Sequence, residues 1–121
     1  MLRWLTLLLC AVLLLPAPLT AAAPDRVENR IPVIAIVDLP SEAHATLARI
    51  KKNGPFPYQR DGAAFHNFER RLPVMKPSYY REYTVATPGA RDRGARRIVA
   101  GRNGEFYYTG DHYRTFRRIQ E

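Results

Sequence analysis

One carboxylate, a run of guanidinium groups and a late imidazole occur here in an order that suits acid–base chemistry on a phosphodiester. Glu82 stands in Tyr79-Tyr80-Arg81-Glu82-Tyr83-Thr84-Val85, the arginines in Arg93-Gly94-Ala95-Arg96-Arg97, and His112 in Gly110-Asp111-His112-Tyr113. A carboxylate can take a proton and an imidazole can give one. Fixed arginines can hold the phosphoryl oxygens while charge builds on them. That division of labour needs no metal. Taken singly, each part has a plainer explanation: a strand Glu is commonly solvated or ion-paired, a lone His structural, and an arginine run a solvated loop.

The elements that must position these residues are legible in outline. Pro32–Asp38 carries Val33, Ile34, Ile36 and Val37, an apolar run short enough for a strand. Leu39-Pro40-Ser41 announces a helix with Ser41 as N-cap. The helix is expected from about Glu42 to Lys52, with Ala43, Leu47 and Ile50 on one stripe. Lys51 and Lys52 suit its carbonyl end, and Asn53-Gly54-Pro55 stops it. A turn-rich connection follows over 55–62. Strands are expected over Tyr79–Val85, Arg97–Ala100, Glu105–Thr109 and Thr115–Ile119, with Asn103-Gly104 as a hairpin signal.

One early helix followed by serial antiparallel strands reads as an α+β domain, a single N-terminal helix packed on a single antiparallel β-sheet. Strand alternation puts Glu82 and Thr84 on one face and Arg81, Tyr83 and Val85 on the other. If Tyr83, Val85 and Ile98 meet the helix, Glu82 and Arg97 share the open face. Opposite charges then stand where a phosphate could lie. His44, on the helix, and Met75, in a loop, read as structural.

The amino end reads as an address. Met1-Leu2-Arg3 precedes an apolar run from Trp4 to Leu15, broken by Pro16 and Pro18 and ending at Ala21-Ala22-Ala23. A basic start, a short apolar stretch and a small-residue exit make a secretory signal peptide. The run is shorter than the ~20 residues of a membrane helix, and the leucines before Cys10 argue against a lipid anchor there. Residues 1–23 are therefore expected as the signal segment and 24–121 as one domain, secreted and monomeric, with no membrane attachment once mature. Its only cysteine, Cys10, would leave with the leader, so packing alone must hold the domain.

The 121 residues carry 19 Lys and Arg against 11 Asp and Glu, a net charge of +8. Without Arg3 the count is 18 against 11, or +7, and sixteen of the nineteen cations are Arg. Arg matches phosphate with a two-pronged hydrogen bond, so the balance favours polyanionic partners, nucleic acid or anionic envelope surfaces.

Several motifs in order carry a resemblance. These are Asn53-Gly-Pro-Phe-Pro-Tyr58, Asp61-Gly-Ala-Ala-Phe-His-Asn-Phe-Glu69, Tyr80–Val85, Thr87-Pro-Gly-Ala-Arg91, Arg93–Ile98 and Tyr107-Tyr-Thr-Gly-Asp-His-Tyr113. From about Val33 to Ile119 the chain resembles the microbial guanyl-specific ribonucleases, the family of barnase, and most closely the ribonuclease Sa branch. The resemblance implies Glu82 as general base and His112 as general acid, Arg93 and Arg97 as phosphate-binding groups, and Tyr113 beside the acid. It implies no cofactor and no metal. It further implies a base-reading segment at Phe65, His66, Asn67, Phe68 and Glu69. There, backbone N–H groups around Asn67 would meet guanine O6 and N7, Glu69 would accept from N1–H and N2–H, and Phe65 would stack on the base.

Two departures stand out against the branch. His66 and Phe68 occupy positions more often Gln, Ser or Arg, and the disulfide that ties the ends of ribonuclease Sa relatives is impossible here. Phe68 reads more readily as a core residue than as a base contact.

The expected activity is a secreted endoribonuclease acting on single-stranded RNA 3′ of guanosine, through a 2′,3′-cyclic phosphate. DNA lacks the 2′-hydroxyl nucleophile and should bind without reacting. A small acidic inhibitor similar to barstar is an implied partner. The alternative is a non-catalytic cationic protein that binds nucleic acid or envelope polymers by charge, which needs none of Glu69, Glu82 or His112 in that order.

Overall fold

The computed structural model describes residues 16–18 and 30–121. The expected signal segment, residues 1–23, lies outside the described residues apart from 16–18. In chain order the elements are β1 (Val33–Ala35), a 3₁₀ turn (Ile36–Asp38), α1 (Ser41–Lys51), β2 (Ala63–Phe65), β3 (Tyr80–Thr84), β4 (Arg97–Gly101), β5 (Phe106–Thr109) and β6 (Arg117–Gln120). The strands form one sheet in the order β1-β6-β5-β4-β3-β2.

The α+β class, with one α-helix on a sheet among the described residues, is as the sequence implies. Four of the five strand pairings are antiparallel, and β1 pairs with β6 in parallel. The antiparallel sheet expected from the sequence is thus extended at one edge by a parallel strand. The expected first strand also ends early: only Val33–Ala35 pairs with β6, and Ile36–Asp38 winds into the 3₁₀ turn that leads to α1.

Ser41 is the first helical residue rather than the cap. Pro40 occupies the cap position and supplies no side-chain hydrogen bond, while its carbonyl accepts from Ala43 and His44 N–H. The helix ends as its sequence demands. Asn53 and Gly54 take φ of 59° and 95°, and Gly54 N–H reaches back to the Arg49 carbonyl at 2.8 Å.

Alternation along β3, β4 and β5 sorts the interior into two clusters. Val85, Ile98, Tyr108, Ile34 and Ile119 meet Ala43 and Leu47 of α1. Each large side chain removed from water there is worth about 1.5–3 kcal/mol. Thr46 ties helix to sheet by donating its hydroxyl to the Thr84 carbonyl at 3.0 Å. On the opposite face Tyr80, Val99 and Tyr107 pack with Ile31, Leu72 and Phe116. That face is not the open one the alternation suggests. Loops cover it, and Glu82 and Arg97 are only 6% and 3% exposed. The site is thus built over a core, not on a bare sheet.

Candidate active site

Glu82 lies mid-strand in β3, paired with Ala63 of β2 on one side and Val99 of β4 on the other. Its neighbours hold the carboxylate from several directions. Arg93 Nη2 donates to Oε1 at 3.0 Å, the Tyr113 hydroxyl donates to Oε2, and Arg60 Nε stands 3.7 Å from Oε1. Burial alone would raise this carboxyl. The hydrogen bonds from Tyr113 and Arg93 and the charges of Arg93 and Arg60 outweigh it, and Glu82 is held below the usual glutamate range. It is therefore a carboxylate at neutral pH. Each of its oxygens has a further lone pair with which to accept a proton.

The Arg93–Arg97 loop is shaped by its glycine. Gly94 has φ of 64°, and a Cβ there would fall 2.6 Å from Thr87 Oγ1. Its carbonyl accepts from Arg97 Nη1 at 2.9 Å, while Arg93 Nε anchors on Thr84 Oγ1 at 3.0 Å. Arg97 Nε is buried without a hydrogen-bond partner among the described residues. The structure brings both arginines to the carboxylate side of the site, yet neither forms part of the cavity wall. The guanidinium groups in the wall are those of Arg60 and Arg71.

His112 and Tyr113 sit on a turn with φ of 55° and 69°, a left-handed pair that needs support. Asp111 gives it. Its Oδ1 accepts from Thr109 Oγ1 and Thr115 N–H, both at 2.9 Å, and its Oδ2 from the Thr115 hydroxyl at 2.6 Å. These bonds, that of the Thr115 side chain foremost, lower the Asp111 carboxyl to about 2. Using Thr115 in this way also explains why the last strand starts at Arg117 and not at Thr115. His112 N–H is fixed on the Ala95 carbonyl at 2.9 Å. Its exposed ring leans against Tyr113, centroids 5.0 Å apart. Burial, then the bond to Glu82 and its negative charge, push the Tyr113 hydroxyl up to about 12, so it remains a donor throughout the neutral range.

A cavity of about 320 Å³ opens at these groups, lined by Glu82, His112 and Tyr113 together with Phe65, Asn67 and Glu69. Asn67, at φ 53°, closes its own loop: Nδ2 donates to the Leu72 carbonyl at 2.9 Å and Oδ1 accepts from Leu72 N–H at 3.1 Å. Its side chain is spent on closing the loop. Phe65 stacks on Tyr113 at 4.9 Å and 26°. Glu69 is exposed at the rim and pairs with Arg71 Nε at 2.7 Å.

Phe68 corrects the sequence reading. It is 86% exposed and stacks on His66 at 5.0 Å and 22°, so it is no part of either core. The loop bent by Asn67 turns it outward, while Leu72, five residues on from Asn67, takes the buried position.

Sequence reasoning passed over Arg60, Asp61 and Asp111. Asp61 accepts from Thr84 N–H at 2.7 Å and from Tyr58 N–H at 3.2 Å, which pins the end of β3 to the loop bearing Arg60. The signal available for Asp111 was Asp-x-x-x-Thr, an aspartate followed by a hydroxyl four residues on. Strand β2 was also missed, being three residues long. Among the described residues no cluster of three His, Cys, Asp or Glu side chains gathers as a metal site would require.

Comparison with known proteins agrees with this architecture. Residues 23–120 match the family model described as ribonuclease. Guanyl-specific ribonuclease Sa of Kitasatospora aureofaciens is 53% identical over 89 residues, 73% of this chain and 93% of that protein. Guanyl-specific ribonuclease Sa3 of the same organism is 56% identical over 82 residues, 67% of this chain; the match spans 58% of the relative's own length. Guanyl-specific ribonuclease St of Saccharopolyspora erythraea is 52% identical over 84 residues, 69% of this chain and 83% of the relative. A solved structure of ribonuclease Sa2 complexes with mononucleotides superposes with a TM-score of 0.75 at 52% identity, covering 75% of this chain and 95% of the other. Ribonuclease Sa2 with guanosine-2′-cyclophosphate gives 0.72 at 52% identity, over 74% and 96%. With the family matched from residue 23 to 120 and these relatives above half identity, the chain belongs to the microbial guanyl-specific ribonuclease family, close to ribonuclease Sa.

Proposed function

We propose that this chain is a secreted, metal-independent endoribonuclease that cuts single-stranded RNA 3′ of guanosine. The observation that carries the reading is one cavity lined by Glu82, His112 and Tyr113 together with Phe65, Asn67 and Glu69. Glu82 takes the proton of the ribose 2′-hydroxyl as that oxygen attacks phosphorus. The bond to the 5′-oxygen breaks, and His112 protonates the leaving oxygen. The product is a 2′,3′-cyclic phosphate, which water opens with the two roles reversed. Charge growing on the phosphoryl oxygens is met by Arg60 in the wall, with Arg93 and Arg97 adding positive potential from outside the lining.

Guanine offers N1–H and N2–H side by side, and the two oxygens of Glu69 match them where adenine has no such pair. Phe65 supplies an aromatic edge for the base, and backbone N–H groups of His66, Asn67 and Phe68 supply donors. Ribonuclease Sa2 has been solved with guanosine-2′-cyclophosphate, which supports this assignment of the base pocket. Residues 1–23 act as the export signal, 24–121 as the monomeric catalytic domain, and an acidic inhibitor similar to barstar fits the cationic cleft.

The test is incubation of residues 24–121 with RNA and with DNA in a chelator, followed by analysis of product ends. Cleavage of RNA alone, leaving guanosine 3′-phosphate or 2′,3′-cyclic phosphate ends, is expected. Retention of both nucleic acids without cutting of either would mean a cationic binder and overturn the enzyme.

A further inference from the structure

The catalytic cavity does not end at Phe116 and Arg71. Both residues also line a second cavity of about 550 Å³, whose wall includes Arg30, Arg70, Arg114 and Arg117 and, among the described residues, no acidic one. Arg117 lends its flank only, because its guanidinium stands 5.5 Å over the Tyr108 ring. Arg71 is engaged with Glu69. Arg30, Arg70 and Arg114 are exposed and have no ion pair among the described residues. Among the described residues, Glu69 is committed to Arg71 and Asp111 to Thr109 and Thr115.

Three guanidinium groups with no ion pair among the described residues gather around one hollow, a concentration of positive charge that favours an anionic ligand. The hollow opens from the cavity in which a phosphodiester is to be cut, so the anion most often presented to it is the next stretch of the same strand. We propose that Arg30, Arg70 and Arg114 form a phosphate subsite for RNA nucleotides beyond the one at the scissile bond. This rests on the ribonuclease reading of the first cavity. The ligand is a chain of phosphodiesters, held by charge without regard to base. Such contacts release counterions, so their signature is a salt dependence.

The experiment compares the native protein with the Arg30→Gln/Arg70→Gln/Arg114→Gln variant on three ligands. These are a guanosine-containing dinucleotide, a single-stranded RNA of about twelve nucleotides, and the uncleavable 2′-deoxy version of that oligonucleotide. Dinucleotide cleavage should be the same in both proteins, which also shows that the variant is folded. With the long RNA, kcat/KM should fall on the order of 100-fold at 50 mM salt, and the difference should vanish near 1 M. The plot of log affinity for the deoxy-oligonucleotide against log salt should flatten by about two, since each single-strand phosphate contact contributes ~0.7. An unchanged slope and unchanged kcat/KM on long RNA would sink the subsite while leaving the ribonuclease intact. If native protein cut neither RNA, the ribonuclease reading would fall, and the salt slope on the deoxy-oligonucleotide would still decide whether the arginines bind phosphate.

Discussion

The Tyr113 hydroxyl donates to Glu82 Oε2 across 31 positions of sequence, joining the last turn of the chain to the middle of the sheet. Tyr113 also carries the imidazole of the preceding residue against its ring and stacks on Phe65. One side chain therefore sets the charge of the proposed base, the place of the proposed acid and one wall of the base pocket. That convergence makes its hydroxyl the most informative atom to remove.

Tyr113→Phe should keep the stacking and lose the hydrogen bond. Glu82 is depressed below its ordinary value, so the acid limb of activity lies below that value and activity fails as pH drops through it. Without the hydroxyl, burial counts for more and the limb should move to higher pH. Stability follows the same sign. A depressed carboxyl stabilises the fold above its unfolded pKa, and the contribution is lost as pH falls through the folded pKa. The variant should therefore lose less stability on acidification than the native protein. A pH–kcat/KM profile and parallel urea titrations read both effects, and an unmoved acid limb would show that Tyr113 does not govern Glu82.

Glu82→Gln and His112→Ala should each lower kcat by about 10²–10⁴-fold. Their stabilities should part company. The Glu82→Gln change leaves Arg93 without its charge partner and should cost about 1.5–3 kcal/mol, the worth of a charge-assisted bond. His112 is exposed, and its removal should cost little. If the His112→Ala protein retained native kcat at every pH, another group would have to be the acid.

How much of this was readable from residues alone varies with the kind of constraint. Glu82 on a strand, its face shared with Arg97, and the stop at Asn53-Gly54 follow from local rules of alternation and turn chemistry. The partner of Glu82 does not. Arg93, Arg60 and Tyr113 reach it from three loops, and only the folded path decides which arginine arrives. The parallel pairing of β1 with β6 is likewise a long-range choice at a sheet edge. Phe68 failed because hydrophobic character was read as burial, whereas the left-handed bend at Asn67 decides its direction. Asp111 failed because its partners, Thr109 and Thr115, are meaningful only once the turn exists.

Asp111→Asn tests that turn. The carboxyl sits at about 2 against an unfolded value of about 3.9. Its contribution is complete above pH ~4 and disappears as pH falls towards 2. Asparagine should abolish the part of the acid sensitivity in that window and loosen the pair His112–Tyr113. A small displacement of a proton donor can cost up to about 10²-fold, so kcat should fall about 10–100-fold while KM for a dinucleotide changes little. Rescue of kcat by Asp111→Glu is not expected, because the longer side chain cannot reach Thr109 and Thr115 with the same geometry. A native kcat in the Asn variant would remove Asp111 from the positioning of His112.

Phe68 gives the sharpest separation of binding from folding. At 86% exposure it contributes almost nothing to the core, and Phe68→Ala should leave stability within about 0.5 kcal/mol of native. Its ring, stacked on His66 and lining the cavity, is nonetheless placed to touch a base bound there. Base–aromatic stacking is worth about 1–3 kcal/mol and does not discriminate among bases. Removing the ring should therefore raise KM about five- to hundredfold for guanosine substrates and leave the guanine-over-adenine ratio unchanged, since the proposed reader of guanine is Glu69. Glu69→Gln should do the reverse, collapsing the ratio with a smaller effect on the binding common to all bases. Steady-state kinetics on matched guanosine and adenosine dinucleotides measure both variants in one assay. A Phe68→Ala protein with native KM would place the substrate base wholly inside the Phe65 side of the cavity.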